Sequence, residues 1–91
     1  SPEGRATPAC PGLWDEAQIA QWRRINDFIN ANSASRTCAQ IGHAGARAAC
    51  RVPGGAVGYD EPLAQPWPIV SASPHPWRAG GTVPTELDEQ G

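Results

Sequence analysis

Within CAQIGHAGARAA, residues 38 to 49, a glutamine stands two positions before a Gly-His-Ala-Gly break in a short apolar run. Gln40 is polar where a buried strand should be apolar, so its amide NH2 and its carbonyl both need partners. Two sources can supply them: a ligand at the end of a strand, or neighbouring polar groups around a core amide. His43 could act as a general acid, a ligand or a turn residue, and a lone histidine beside glycine reads as structural. Gly42 and Gly45 are expected to let the backbone turn sharply at the strand end. Arg47 follows as a candidate for a pocket mouth or for meeting a negatively charged substrate, with a solvated loop arginine as the equal alternative. No catalytic residue is assigned.

The elements that would position these groups are few. Pro2, Gly4, Pro8, Pro11 and Gly12 deny residues 1 to 12 any regular structure. Residues 15 to 32 predict a helix, with Asp15 as N-cap, Gln18 completing a capping-box pattern, and Trp14 and Ile19 placed for a hydrophobic staple. Ile19, Trp22, Ile25 and Ile29 mark one face of it, which predicts that Trp22 covers a sheet. Asn30, Asn32 and Ser33 end the helix, and Thr37 to Ile41 predict a buried parallel strand. Residues 42 to 87 read as a long loop in which Ile69 and Val70 form a short extended piece, and 88 to 91 as the start of another helix capped by Asp88. Trp67 and Trp77, flanked by prolines, are expected to anchor that loop, and His75 has no evident partner.

Composition narrows the function classes. The net charge is -2 and all seven basic residues are dispersed arginines, so no basic stripe for nucleic acid exists. No apolar run approaches a membrane span and no signal-peptide pattern opens the chain, which makes a cytoplasmic protein the expectation. Cys10, Cys38 and Cys50 lack a Cys-x-x-Cys pair, so neither a disulfide framework nor a metal site is expected. Cys38 should pack as a small hydrophobe in the strand, and Cys10 should lie exposed in a Pro-rich turn. Ten Gly and ten Pro, lying outside residues 13 to 32, leave a thin core. The chain, which contains no Met, is therefore expected to be a fragment, largely unfolded and inactive alone.

SPEGRATPAC at the front, the Gln-x-x-His-Ala-Gly motif at 40 to 45 and QPWPIVSASPHPW further on together resemble the FMN-dependent NAD(P)H:flavin oxidoreductases of the Old Yellow Enzyme family, over nearly the whole chain. Within that family, SPEGR, TPACPGLW and the Pro-rich loop look closest to the reductase portion of bacterial salicylyl-CoA and aminobenzoyl-CoA monooxygenase-reductases. The resemblance implies an α/β fold: an incomplete piece of a (β/α)8 TIM barrel, whose whole needs about 250 residues, here reduced to one helix, one parallel strand and a long catalytic-face loop. It implies FMN as cofactor, NADH or NADPH as hydride donor, and an activated alkene or aromatic acyl-CoA-derived substrate. The glutamine matching Gln40 contacts FMN in the family, where a carboxamide suits the carbonyls and N3-H of the pyrimidine edge. The family's substrate-binding histidine pair, its active-site cysteine and its phosphate loops belong to other strands, so His43, Cys10, Gly42 and Gly45 do not inherit those roles. Ala46 stands where relatives usually carry Arg, and Arg47 where Lys is common. The expected partner is a small-molecule substrate, with room for a homo-oligomer of the full-length protein, and neither nucleic acid nor membrane. A second reading takes QPWPIVSASPHPW as a polyproline II ligand in a small interaction module.

Overall fold

A computed structural model describes residues 1 to 90. The order of elements is a helix α1 (Glu16–Asn32), a short 3-10 turn (Gly45–Arg47), and two strands, β1 (Val70–Ser71) and β2 (Thr85–Glu86). The chain divides into two compact units, one of residues 11 to 41 and the other of residues 1 to 10 with the chain from 42 onward.

The first of these is built around α1. Asp15 accepts the Gln18 amide N–H at 2.8 Å through Oδ1, while Gln18 Oε1 reaches back to the Trp14 N–H at 2.9 Å. The reciprocal bonds satisfy free N–H groups at the helix entrance, the logic of a capping box displaced by one residue. At the far end the Asn32 side chain donates to the Phe28 carbonyl at 2.8 Å and the Ser33 hydroxyl to that of Ile29 at 2.9 Å. Those side chains add bonds to carbonyls of the last turn, and the Ser33 N–H also donates to Ile29 O at 2.9 Å as the helix ends.

Two expectations for this unit are corrected. Residues 37 to 41 form no strand: they have no regular structure, and Ile41 is 90% exposed. Gln40 and Cys38 are consequently exposed and not packed in a sheet. Without a strand beneath it, α1 has no buried residue, and Trp22 remains 38% exposed. The Trp22 indole N–H instead donates to the Gly12 carbonyl at 2.8 Å, tying the helix to its own leading segment.

The second unit holds the core. Ala48, Ala49, Cys50 and Ile69 are buried, and Ala44, Leu63 and Trp67 pack against the cluster of Ala48, Ala49 and Ile69. Small side chains let three backbone segments converge there. The N-terminal segment lies along the 44–50 segment through Ala44 N–H to Gly4 O (2.9 Å) and Cys50 N–H to Ala6 O (2.8 Å). On the other side, Leu63 N–H donates to Ala49 O (2.9 Å) and Arg51 N–H to Glu61 O (2.7 Å), closing a hairpin-like loop over the Pro53-Gly54-Gly55 turn. Ala49 occupies the left-handed region at φ 57, a conformation that costs a non-glycine residue energy and that these flanking bonds hold in place.

β1 and β2 pair in parallel, Val70 opposite Thr85 and Ser71 opposite Glu86. The stretch expected as loop from 42 to 87 thus contains a 3-10 turn and both strands, and no helix joins the strands. The QPWPIVSASPHPW segment is not a free polyproline II arm, because its centre supplies β1 and its Ile69 is 2% exposed. Through residue 90 no helix starts at Asp88, although its Oδ1 accepts the Gln90 N–H at 2.9 Å, as an N-cap would; Gly91 lies outside the described residues. No helix among the described residues is long and apolar enough to cross a membrane.

Candidate functional site

The Gly-His-Ala-Gly break is organised by the N-terminal segment. His43 Nδ1 accepts the Gly45 N–H at 3.0 Å, so the neutral ring carries its proton on Nε2. A Cβ added to Gly4 would come within 2.7 Å of His43 Cδ2, which places the ring directly on the Gly4 backbone. Gly45 needs its freedom, at φ 57. Gly42 does not: its φ is not positive and a Cβ there would meet nothing within 4 Å, so of the two glycines expected to permit a sharp turn only Gly45 uses the left-handed region. SPEGR and HAGARA, separated in sequence by the whole helical unit, are therefore one structural feature.

Trp67 completes that feature. Its indole N–H donates to the Glu3 carbonyl at 3.1 Å, and the Arg5 guanidinium lies over its ring, 4.8 Å from the centroid. The Glu3 carboxyl is held below its ordinary value, chiefly by its own backbone N–H and the Ser1 side chain, with a smaller contribution from His43.

Arg47 is neither free nor simply solvated. Its Nε and Nη2 meet Asp60 Oδ1 at 3.2 and 2.8 Å, Nη2 also meets Oδ2 at 2.9 Å, and its guanidinium stacks on Trp77 at 4.8 Å from the ring centroid. Asp60 adopts the left-handed region at φ 60 to reach it. Around this clamp a small pocket is lined by Ala48, Cys50, Pro62, Arg78 and Thr82 among others. Burial, followed by the Asp60 charge, pushes the Cys50 thiol up, against the opposing charges of Arg78 and Arg47. Among the described residues, no group of three or more His, Cys, Asp or Glu could hold a metal ion.

Gln40 belongs to the helical unit and is exposed. Among the described residues its carboxamide makes no hydrogen bond, so the polar groups that would satisfy a core amide are not there. Residue type alone does not single out Asp60 and Trp77 as partners of Arg47. A signal did exist: the turn at 53 to 55 folds the chain back so that Arg51 faces Glu61, at 3.3 Å, and the same reversal carries Asp60 toward Arg47.

No family model matches the chain. It is 40% identical over 50 residues to an NADH:flavin oxidoreductase of Gibberella zeae. That match takes in 55% of this chain and spans 12% of the length of the relative.

Proposed function

We propose that the chain is part of an FMN-dependent oxidoreductase of the Old Yellow Enzyme kind, a piece of its (β/α)8 barrel. The enzyme would carry hydride from NADH or NADPH through flavin to an activated alkene or an aromatic acyl-CoA-derived substrate. The observation that carries this reading is the likeness to the Gibberella zeae NADH:flavin oxidoreductase, to which the motifs at 1 to 10 and 40 to 45 add support. The affinity with salicylyl-CoA and aminobenzoyl-CoA monooxygenase-reductases rests on SPEGR, TPACPGLW and the Pro-rich loop alone.

The residues fit the cofactor at the level of donors and acceptors. Gln40 offers an uncommitted amide NH2 and carbonyl, which match the carbonyls and N3-H of a flavin's pyrimidine edge. FMN, when bound, supplies the hydride-accepting chemistry, and Gln40 would orient the ring and stabilise negative charge at the C2 carbonyl. Arg47, tied to Asp60 and Trp77, would shape the pocket mouth rather than neutralise a substrate.

In the full-length protein, Gln40→Leu keeps the side-chain volume and removes both polar groups. It should weaken FMN binding by about 1 to 3 kcal/mol, the cost of stranding polar groups, and make the bound flavin harder to reduce. Fluorescence titration of FMN and a redox titration read the two effects. Unchanged affinity and potential in a folded variant would remove Gln40 from the flavin site.

A further inference from the structure

Two segments far apart in sequence meet at His43, and the backbone fixes how they meet. Residues 4 to 6 run along the 44–50 segment through Ala44 N–H to Gly4 O at 2.9 Å, Ala49 N–H to Arg5 O at 3.4 Å and Cys50 N–H to Ala6 O at 2.8 Å. Trp67 fastens the start of the same segment, with its indole N–H on the Glu3 carbonyl at 3.1 Å and its ring under the Arg5 guanidinium. The imidazole lies so close to Gly4 that a Cβ there would come within 2.7 Å of His43 Cδ2 and 3.2 Å of Cγ and Nε2. Any side chain at position 4 would displace the ring.

The ring in turn shapes the chain. His43 Nδ1 accepts the N–H two residues ahead, at Gly45, which is the bond an asparagine side chain makes in an Asx turn. Gly45 stands at φ 57 and opens the 3-10 turn Gly45–Arg47, so the bond holds that turn at its entrance. Ala48 N–H then bonds to Gly45 O at 3.0 Å, and the chain enters the core at Ala48 and Ala49. Gln40 precedes His43 by three residues, and three trans peptide units reach at most about 11 Å. Ile41 and Gly42, which lie between them, make no hydrogen bond among the described residues. The first anchor that the chain meets after Gln40 is therefore His43.

We infer that His43 is a positioning residue for Gln40: seated on Gly4 and bonded to the Gly45 N–H, it fixes the point from which the chain reaches toward a flavin's pyrimidine edge. The inference rests on the flavin reading and adds two requirements to it, an acceptor at position 43 and the absence of a side chain at position 4. SPEGR thereby serves the cofactor site through the turn that it holds.

The test uses the purified full-length protein loaded with FMN. His43→Phe keeps a ring beside Gly4 and removes the acceptor, while His43→Asn supplies an acceptor for the same N–H two residues ahead. His43→Phe should weaken FMN binding about two- to tenfold, the contribution of one hydrogen bond, and make the bound flavin harder to reduce, as Gln40→Leu does; His43→Asn should stay close to wild type in both. Gly4→Ala displaces the ring from the other segment, should behave as His43→Phe does, and gives the same comparison where His43→Phe does not fold. In a Gln40→Leu background, His43→Phe should change neither affinity nor potential, because the group that it positions is gone. A histidine that only supports the fold would lower the melting temperature and leave the potential of the bound flavin unchanged. That result, or effects of His43→Phe and Gln40→Leu that simply add, overturns the assignment. Wild type that holds no FMN sinks the oxidoreductase reading and this role with it, whereas wild type that holds FMN at a potential indifferent to His43→Phe sinks the role of His43 alone.

Discussion

At the scale of single residues, Arg47 illustrates how a neighbour redirects a side chain. Its bidentate contact with Asp60 and its stacking on Trp77 are half exposed, so each is screened by solvent. A double-mutant cycle on Arg47→Gln and Asp60→Asn in the full-length protein should return a coupling of about 1 kcal/mol, at the upper end for exposed pairs because the geometry is bidentate. A coupling indistinguishable from zero would reduce the clamp to a chance contact. The thiols diverge in the same way. Burial pushes Cys10 up, but the Thr7 N–H at 3.4 Å and the Thr7 hydroxyl at 3.6 Å, with Ala6 and Arg5, outweigh it and bring the thiol below 9.0. Cys10 thus adds stability that is present above pH 9.0 and lost as the pH falls through its folded value; Cys50, pushed up by burial and Asp60, adds stability that is present below 9.0 and lost as the pH rises through its folded value. Iodoacetamide at about pH 8 should therefore alkylate Cys10 well before Cys50, and peptide mapping of a time course gives the order. Equal rates would contradict both shifts.

Among the elements, α1 depends most on its ends, because none of its residues is buried. A helix with so little tertiary support draws a large share of its stability from capping. Asp15→Ala removes the bond to the Gln18 N–H and should cost about 1 kcal/mol, seen as reduced helical circular dichroism in a peptide of residues 11 to 41. Gln18→Ala, which frees the Trp14 N–H, should lower it by a smaller amount; no change in either would mean that the cap does not hold the helix. The strand pair rests on a different support. Thr85 N–H bonds to Ile69 O at 2.8 Å and Leu87 N–H to Ser71 O at 2.9 Å, and two-residue strands of this kind are held by the buried Ile69 beside them more than by their own ladder.

For the whole molecule, the buried residues among those described, Ala48, Ala49, Cys50, Ile69 and Pro84, are too little apolar core to offset the ordering of a Gly- and Pro-rich chain of this length. The 91-residue chain by itself should melt broadly, with weak amide protection even at Cys50, Leu63 and Thr85, the donors of its inter-segment bonds. Amides 37 to 41 should exchange freely. A sharp cooperative transition with strong protection at those donors would show that the chain is a self-sufficient domain.

Local chemistry in the sequence determined α1 and its caps, since Asp15, Gln18, Asn32 and Ser33 act within four residues of their partners. It also marked the turn at Gly45 and, one residue early, the extended piece expected at Ile69 and Val70 and found as β1 at Val70–Ser71, where glycine freedom and β-branching are properties of the residues themselves. The strand expected at 37 to 41 failed for the complementary reason: an apolar run becomes a strand only when another strand takes its backbone hydrogen bonds, and none does so here. Only the tertiary structure decided that SPEGR lies against HAGARA and that Arg47 belongs to Asp60 and Trp77. Those pairings join segments 13 or more residues apart, and long-range pairing depends on loop closure and shared packing that residue types alone do not encode.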